Sequence, residues 1–503
     1  MDLIDGIRSR KKALKKLLIT KRSEGERSAE MDNGVITEDE QQPLSPTARL
    51  FHEPHLNCYI IAIMGSGKRI DVDVVKAGLE VTLVRHPRFS SLQVADGKGR
   101  PYKWLPTKVV LENHVVIPEL DLDMEDPDQF VEDYVARLTK STLDMSKPLW
   151  DLHLLNLKTT EAEAVGVFRA HHSLGDGMSL MSLLFACTRK TADPESLPTI
   201  PKNRRPVSRR SGFVPFLADL WAVIRRLWNT VVDVLLFAAT AVFLKDTETP
   251  LKGAEGVEFN RKRLVHRTLS LDDVKMVKNA MNLTVNDVLL AVTTAGLSRY
   301  LSRRYGKGEE NGGKSNLPTN IRLRATVLVN IRAAPGIHAL ADMMEKEKTD
   351  AKWGNLLGYI ILPFSIQMRD DPLDYIRKAK EIVDRKKLSL ESLFTSSSST
   401  LLLRCFGVKA AASVSHRVLS NTTMSFSNII GPLEEISFYG HPIVYLAPSV
   451  YGHPHALTIH FQSYMDKVKM VLAIDECAVP DPGQLCEDLT DSLKLIKEAV
   501  LPK

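Results

Sequence analysis

Cysteine is scarce in this chain. Only five of its 503 residues are cysteines, and no two of them form a CxxC pair. Disulfide scaffolds and cysteine-based zinc sites both need several closely spaced thiols. The pattern therefore excludes both kinds of site, and it predicts reduced thiols in a cytosolic setting. The five residues are Cys58, Cys187, Cys405, Cys477 and Cys486.

Charge of one sign and aromatic residues are not in excess either. The net charge is +6, with 25% charged, 44% hydrophobic and 6% aromatic residues, as in an average soluble globular protein. This composition excludes a collagen, a low-complexity fibre and a membrane protein with many spans. The charge permits phosphates or lipid headgroups as partners, but it is too small to indicate a nucleic-acid binder. At roughly 100–200 residues per domain, the length predicts two or three compact units.

The segment 1–43 is predicted to be a flexible arm that is first basic and then acidic. Its first 22 residues carry eight basic side chains and a helical stripe of apolar ones. No apolar region with a small-residue cleavage site follows, so no secretory signal is predicted. A basic amphipathic arm can lie on an anionic membrane, and a solvated tail is the alternative. We expect ordered structure to begin near Ser45.

Two stretches, 44–200 and 255–503, mix helical and strand patterns and are predicted to form an N-terminal and a C-terminal lobe. Such mixing indicates an α/β or α+β fold class. In the first stretch, AVGVFRA predicts a strand that ends at a histidine pair, and MSLMSLLFACTRK predicts the helix after it. In the second stretch, the low-complexity run Thr395–Thr400 predicts a mobile loop.

The segment 201–254 is predicted to be a basic linker followed by a hydrophobic, membrane-associated part. Residues 213–244 are mainly apolar, but Arg225 and Arg226 interrupt them and Asp233 lies in the remaining run. A spanning helix needs about 20 apolar residues, and a central Asp costs about 2.5–3.5 kcal/mol on insertion. The pattern slightly favours a helix in the membrane interface or against the protein, with a single span as the alternative.

Two patterns suggest phosphate or metal binding but lack the required context. Residues 308–315 match GxxxxGK[ST], yet a helix precedes them and a strand follows, the reverse of a phosphate loop. No acidic or thiol residue lies close in sequence to His453, His455 and His460, so they give little indication of a metal site.

The motif HHSLGDG, residues 171–177, lies where a predicted strand ends. This arrangement suits a general base, which needs a held tautomer and a supporting turn. His172 can then project into a cleft, Gly177 permits a sharp turn, and Asp176 can anchor the loop through an arginine. Two other interpretations stay open: a hydrogen-bonded structural histidine pair, and a metal site formed by His171, His172 and Asp176.

HHSLGDG resembles the HHxxxDG signature of the coenzyme-A-dependent acyltransferase superfamily. Further motifs around it resemble, in their order, the plant wax ester synthase/diacylglycerol acyltransferase family, from about Leu44 to the C-terminus. A DFGWG motif, expected late in the plant hydroxycinnamoyl-type enzymes, is missing, which argues against phenolic or alkaloid acceptors. The matching motifs are PLW (148–150), VND (285–287), VNIRAAPG (329–336), WGNLLGYIILPF (353–364) and SNIIGP (427–432).

The resemblance implies two chloramphenicol-acetyltransferase-like lobes with a substrate tunnel at their interface. It implies that His172 is the general base and that His171 supports it. We expect Asn286 to position the substrate across the cleft, although Asn286 also suits a helix cap. We expect Asp176 to form an ion pair with an arginine of the second lobe, and Arg332 is the first candidate. No metal ion and no bound cofactor are expected, because the thioester of acyl-CoA is already activated.

The implied reaction is transfer of a long-chain acyl group from acyl-CoA to a fatty alcohol, to diacylglycerol, or to both. The expected partners are acyl-CoA, the lipid acceptor and a membrane, with no nucleic acid. The expected location is the endoplasmic reticulum membrane, with the plasma membrane as a second candidate and the active site facing the cytosol. Two alternatives stay open: an acyl-CoA-dependent transferase for another small alcohol, and an inactive lipid-binding relative.

Overall fold

The structure is a computed structural model. It describes residues 42–95, 102–121, 123–199, 213–306, 317–331, 340–341, 344, 353–355 and 357–501. Four predictions lie outside the described residues: those for the arm up to residue 41, for the basic linker at residues 201–212, for the stretch 308–315 and for Arg332.

The described residues form fifteen strands and ten α-helices. In chain order the strands are β1 (Tyr59–Ser66), β2 (Ser91–Val94), β3 (Lys103–Pro106), β4 (Val115–Val116), β5 (Trp150–Leu155), β6 (Ala164–His171), β7 (Thr188–Lys190), β8 (Arg263–Ser270), β9 (Leu323–Asn330), β10 (Leu357–Phe364), β11 (Met424–Ile429), β12 (Ile436–Phe438), β13 (His441–Tyr451), β14 (Leu457–Tyr464) and β15 (Lys467–Ile474). The helices are α1 (Pro46–Leu50), α2 (Val72–Glu80), α3 (Pro127–Lys140), α4 (Gly177–Cys187), α5 (Phe213–Val242), α6 (Leu271–Ala280), α7 (Val285–Gly306), α8 (Leu373–Lys387), α9 (Glu391–Ser420) and α10 (Pro482–Val500).

Two large sheets organise these elements. The first has the order β4-β5-β6-β1-β13-β12-β7, and the second has the order β10-β9-β11-β14-β15-β8. Strand β6, which leads into HHSLGDG, lies inside the first sheet, antiparallel to β1 on one side and to β5 on the other. The predicted α/β (α+β) fold class is confirmed.

Strands β12 and β13 belong to the first sheet, although their sequence falls in the predicted C-terminal lobe, 255–503. Strand β13 pairs with β1 along its length, from Tyr59 opposite Tyr451 to Ser66 opposite Ile443. The next strands, β14 and β15, return to the second sheet. The first sheet thus contains strands from both predicted lobes, which the sequence did not indicate because the pattern of a strand does not reveal its partner.

Helix α7 is the centre of the core of the second sheet. Nearly every residue from Asp287 to Leu301 is buried, on all sides of the helix, and most of these residues are apolar. A helix of this kind is stable only when other elements cover it, and α8 and α10 pack against it. Its N-terminal residues are thereby held in place, and Asn286 is one of them.

Helix α5 covers most of the predicted hydrophobic segment. The side chain of Asp233 is fully buried, and its Oδ1 accepts hydrogen bonds from Arg385 at 2.5 Å and from Lys386 at 3.0 Å. Lys386 also donates to the carboxylate of Glu391 at 2.6 Å. The charge of Asp233 is thus compensated by the protein, so the face of α5 that carries it is packed inward.

Helices long enough and apolar enough to cross a membrane alone are not found in the described part of the chain. One consecutive pair, α6 and α7, meets the length and composition requirements together, but it is bent by 103°. Of the two, α7 is the buried core helix.

Residues 395–400 lie inside α9, so the prediction of a loop there is wrong. The hydroxyl of Thr395 donates to the carbonyl oxygen of Tyr359 in β10 at 2.9 Å. The hydroxyls of Ser398 and Thr400 donate to helix carbonyls three and four residues earlier. Three of the six hydroxyl groups of the run thus form hydrogen bonds within α9 or with β10.

Candidate active site

The motif HHSLGDG joins the end of β6 to the start of α4. His171 is the last residue of the strand, and 172–174 form one turn of 3-10 helix. The backbone N–H of His172 donates to the carbonyl oxygen of Cys58, beside β1, at 2.9 Å. The interior of the first sheet therefore fixes the position of His172.

The imidazole of His172 is buried and lines a cavity, as the sequence predicts. Its ring stacks on Phe51 with 4.2 Å between ring centroids. Burial lowers the pKa of His172, although its own carbonyl group, Asp176 and Asn355 act in the opposite direction. Its Nδ1 forms no hydrogen bond of normal geometry with the described residues. The ring is thus neutral at neutral pH and can accept a proton.

The cavity has a volume of about 750 Å³ and is lined by residues of both sheets. Strands β1 and β6 and helix α4 contribute to one side, and β9, β10 and β11 contribute to the other. Most lining side chains are apolar, and no carboxylate lines the cavity among the described residues. The volume lies within the range of about 300–1,000 Å³ that is typical of ligand sites.

Three of the described lining residues are exposed to solvent, and they mark the mouth of the cavity. They are Asn286, Leu328 and Lys387. His172 also lines the cavity, but it is buried.

Asn286, predicted to position the substrate, lines the same cavity as His172, but it is exposed to solvent whereas His172 is buried. Its Oδ1 accepts a hydrogen bond of 2.6 Å from the amide of Asn428, another lining residue. The residues that cap the start of α7 are Thr284 and Asp287 instead of Asn286. The backbone N–H of Thr284 donates to the carboxylate of Asp287 at 2.8 Å, and the N–H of Asp287 donates back to the hydroxyl of Thr284 at 3.4 Å.

His171 does not line the cavity, but it holds the segment that carries Phe51. Its Nδ1 lies 2.6 Å from the hydroxyl of Ser173. Its Nε2 lies 2.9 Å from Oδ1 of Asn57 and 3.0 Å from the carbonyl oxygen of Phe51. Burial places the pKa of His171 well below its usual value. The ring therefore acts as a neutral hydrogen-bonding bridge behind His172.

Asp176 is fully buried and caps α4. Its Oδ1 accepts a hydrogen bond of 2.8 Å from the backbone N–H of Ser179. It does not line the cavity, which fits an anchoring role better than contact with substrate. The predicted partner, Arg332, lies outside the described residues, so the ion pair stays a prediction.

Two residues of the WGNLLG motif hold the turn from the other side, and no role was predicted for either of them. The side-chain amide of Asn355 donates to the carbonyl oxygen of His172 at 2.9 Å and to that of Ser173 at 3.4 Å. The indole N–H of Trp353 donates to the carbonyl oxygen of Leu174 at 2.7 Å. The only signal in the sequence for a role of Asn355 was its polar side chain in a motif otherwise rich in glycine and apolar residues.

The C-terminal histidines are hydrogen-bonded to hydroxyl groups. The hydroxyl of Ser425 lies 3.1 Å from Nε2 of His453 and 2.9 Å from Nδ1 of His455. The hydroxyl of Ser449 lies 3.3 Å from Nδ1 of His460. Burial lowers the pKa of all three histidines. All three are neutral and hydrogen-bonded, and of the three only His460 lines the cavity that also holds His172.

One group of described residues has the spacing of metal ligands, and it differs from both groups considered from the sequence. It consists of His55, Glu258 and His416, whose ligand atoms lie within 4.8 Å of one another. Nδ1 of His55 lies 2.6 Å from the Glu258 carboxylate, which is a hydrogen-bond distance. None of the three residues lines the cavity.

Comparisons with known proteins identify the family. The wax ester synthase/diacylglycerol acyltransferase catalytic domain matches residues 108–289, and the WS/DGAT C-terminal domain matches residues 353–497. Wax ester synthase/diacylglycerol acyltransferase 5 of Arabidopsis thaliana is 53% identical over 480 residues, which cover 92% of this chain and 94% of that protein. Wax ester synthase/diacylglycerol acyltransferase 11 of Arabidopsis thaliana is 52% identical over 470 residues, which cover 92% of this chain and 96% of that protein.

A solved structure shows the same fold. The wax ester synthase/diacylglycerol acyltransferase from Marinobacter aquaeolei VT8 superposes with a TM-score of 0.59 at 17% identity, over 92% of this chain and 100% of that one. The family expected from the motifs is thereby confirmed. The chain belongs to the wax ester synthase/diacylglycerol acyltransferase family, and it is an acyltransferase.

Proposed function

We propose that this enzyme transfers a long-chain acyl group from acyl-CoA to the hydroxyl group of a fatty alcohol, of diacylglycerol, or of both, with His172 as the general base. The observation that carries the proposal is the buried, neutral imidazole of His172 on the wall of an apolar cavity of about 750 Å³. Both acceptors present a hydroxyl group at the end of apolar chains, and such chains match this wall.

In the proposed reaction, the imidazole of His172 removes the proton of the acceptor hydroxyl. The oxygen then forms a bond to the thioester carbon, and a tetrahedral intermediate results. The intermediate breaks its carbon–sulfur bond, and the departing thiolate takes the proton back from the imidazolium. The products are an ester and free coenzyme A. A positioned general base contributes roughly 10²–10⁴ to the rate, and the reaction requires neither a metal ion nor a bound cofactor.

The surroundings of His172 support this role. Phe51 stacks on one face of the ring, and Asn355 holds the backbone of the turn. His171 and Asp176 hold the two ends of the same turn, with the predicted ion pair to Arg332 as a further support. We assign Asn286 to the entering substrate, because it lies at the cavity mouth.

We further propose that the enzyme lies on the cytosolic face of the endoplasmic reticulum membrane, with the plasma membrane as a second location. Helix α5 packs Asp233 against the protein, and its outer side exposes large apolar groups. Trp221 and Trp228 are 66% and 68% exposed. Tryptophan and leucine on one side of a helix are typical of helices that lie in the membrane interface. A lipid acceptor could then reach the enzyme directly from the bilayer.

The test uses membranes from cells that express the enzyme, with labelled palmitoyl-CoA and either hexadecanol or diacylglycerol. We expect the wild type to form labelled ester and His172→Ala to lose at least 99% of the activity. The matched control is His55→Ala, because His55 is a half-exposed histidine that does not line the cavity. Equal ester formation by His172→Ala and the wild type would exclude His172 as the base.

A further inference from the structure

The cavity mouth carries a cation that is not engaged in a short ion pair. Two described lysines line the cavity, Lys386 and Lys387. Lys386 is buried and bound to two carboxylates at 3.0 Å or less. Lys387 is half exposed, and its Nζ lies 3.7 Å from the nearest carboxylate oxygens, those of Asp287 and Asp384. Lys387 can therefore turn its charge toward a ligand at the mouth.

Uncharged polar groups line the wall near Lys387. Ser389 and Ser392 follow it in the chain and also line the cavity. Asn286 and Asn428 contribute a hydrogen-bonded pair of amides. Hydroxyl and amide groups can donate hydrogen bonds to the amide carbonyls and phosphate oxygens of a polar chain. Most of the other described lining side chains are apolar, and the polar ones among them include Ser427, Tyr439, Ser449 and His460.

We propose that Lys387 binds the phosphate groups of acyl-CoA, so that the donor enters at the mouth and its thioester extends inward to His172. This inference rests on the proposed function, in which acyl-CoA is the donor. Phosphates carry the charge of coenzyme A, and transfer of an unpaired charge into an apolar cavity is strongly unfavourable. The phosphates must therefore stay at an opening that provides a positive charge, and Lys387 provides it.

The test compares two donors that share one acyl chain and differ in charge. Decanoyl-CoA carries the phosphates, whereas decanoyl-N-acetylcysteamine keeps the thioester and has none. For Lys387→Glu we expect the KM for decanoyl-CoA to rise about tenfold, since a charge-assisted hydrogen bond is lost and the charge is reversed. The KM for the uncharged donor should change less than twofold. Added salt should weaken the wild-type preference for decanoyl-CoA, because salt screens exposed charges.

The matched control is Lys378→Glu. Lys378 lies on the same helix, pairs with Glu381 at 2.9 Å and does not line the cavity. Lys387 lies nine positions further along the helix, at a distance of about 13.5 Å along the helix axis. Its substitution makes the same change in net charge, so we expect both KM values to stay near those of the wild type.

A thioether analogue, S-decyl-CoA, gives a readout that does not depend on catalysis. Calorimetry should show about tenfold weaker binding to Lys387→Glu than to the wild type and to Lys378→Glu. Equal binding to all three proteins would overturn the role of Lys387, and so would an equal rise of KM for both donors. If Lys387→Glu instead loses only binding to anionic vesicles, the lysine contacts lipid headgroups and the inference is wrong. Absence of ester formation by the wild type with either donor would refute the proposed function, while the calorimetry would still test Lys387.

Discussion

Substitution of Asn355 by leucine removes the contact that reaches His172 from the other half of the chain. The amide of Asn355 is buried and donates to the carbonyl oxygens of His172 and Ser173 at 2.9 and 3.4 Å. Leucine has a similar volume but no donor. A buried carbonyl group that loses its partner costs about 1–3 kcal/mol of folding free energy. A displacement of about 1 Å in a reacting group can lower the rate about 100-fold.

We therefore expect Asn355→Leu to lose about 1–3 kcal/mol of stability in urea unfolding and to show a kcat about 10- to 100-fold lower, with the KM for acyl-CoA little changed. The control is Asn156→Leu. Asn156 donates to the carbonyl oxygen of Ile70 at 2.9 Å and accepts from its N–H at 2.7 Å, away from the cavity. That variant should lose similar stability and keep its kcat. An unchanged kcat for Asn355→Leu, or an equal loss in both variants, would refute a positioning role.

Three further predictions concern pH, stability and membrane binding. Because burial lowers the pKa of His172 below 6.5, its reactive neutral form persists as the pH falls. We therefore expect the acid limb of the pH profile of kcat/KM to have its midpoint below pH 6.5. A midpoint above pH 6.5 would contradict the proposal that His172 is the general base. Asp233→Ala should destabilise the protein by about 3–5 kcal/mol at pH 7 in urea unfolding, since it removes the carboxylate that binds Arg385 and one of the two carboxylates that bind the buried Lys386. Burial alone would raise the pKa of Asp233, but Lys386 holds it below its usual 3.8, so this stabilisation is complete above pH 3.8 and is lost at lower pH. Replacement of Trp221 and Trp228 by serine should lower the fraction that floats with liposomes and leave kcat with short, soluble substrates unchanged; unaltered flotation would argue against α5 as the contact.

Local patterns in the sequence predicted the turn that carries His172. AVGVFRA corresponds to β6, and MSLMSLLFAC corresponds to α4, whereas the last three residues predicted as helix, TRK, form β7. HHSLGDG lies between β6 and α4 and includes the first residue of α4. Each of these predictions depends on residues within a few positions of one another. The sequence also indicated a helix cap near Asn286. The structure has this cap, but Thr284 and Asp287 form it. Several neighbouring residues can form a short-range hydrogen bond of this kind, so the sequence does not determine which of them forms it.

Contacts between distant parts of the chain could not be predicted in this way. Asn355 and His172 are 183 residues apart, and no local pattern marks their hydrogen bond. The buried partners of Asp233 lie on α8, about 150 residues away, so the sequence showed an unfavourable charge in an apolar run without its compensation. The error at Thr395 has a similar origin, because its bond to Tyr359 depends on how α9 packs on β10.

The pairing of β13 with β1 sets a limit on the order in which the newly made chain can fold. The paired residues Tyr59 and Tyr451 are about 390 positions apart, and at a synthesis rate of about 5–20 residues per second the second strand emerges roughly 20–80 s after the first. Throughout this interval one long edge of β1 has no strand beside it, and such edges readily pair with other chains. The nascent protein thus depends on protection of this edge during translation. Truncation of the chain before Tyr451 would leave the edge of β1 permanently exposed.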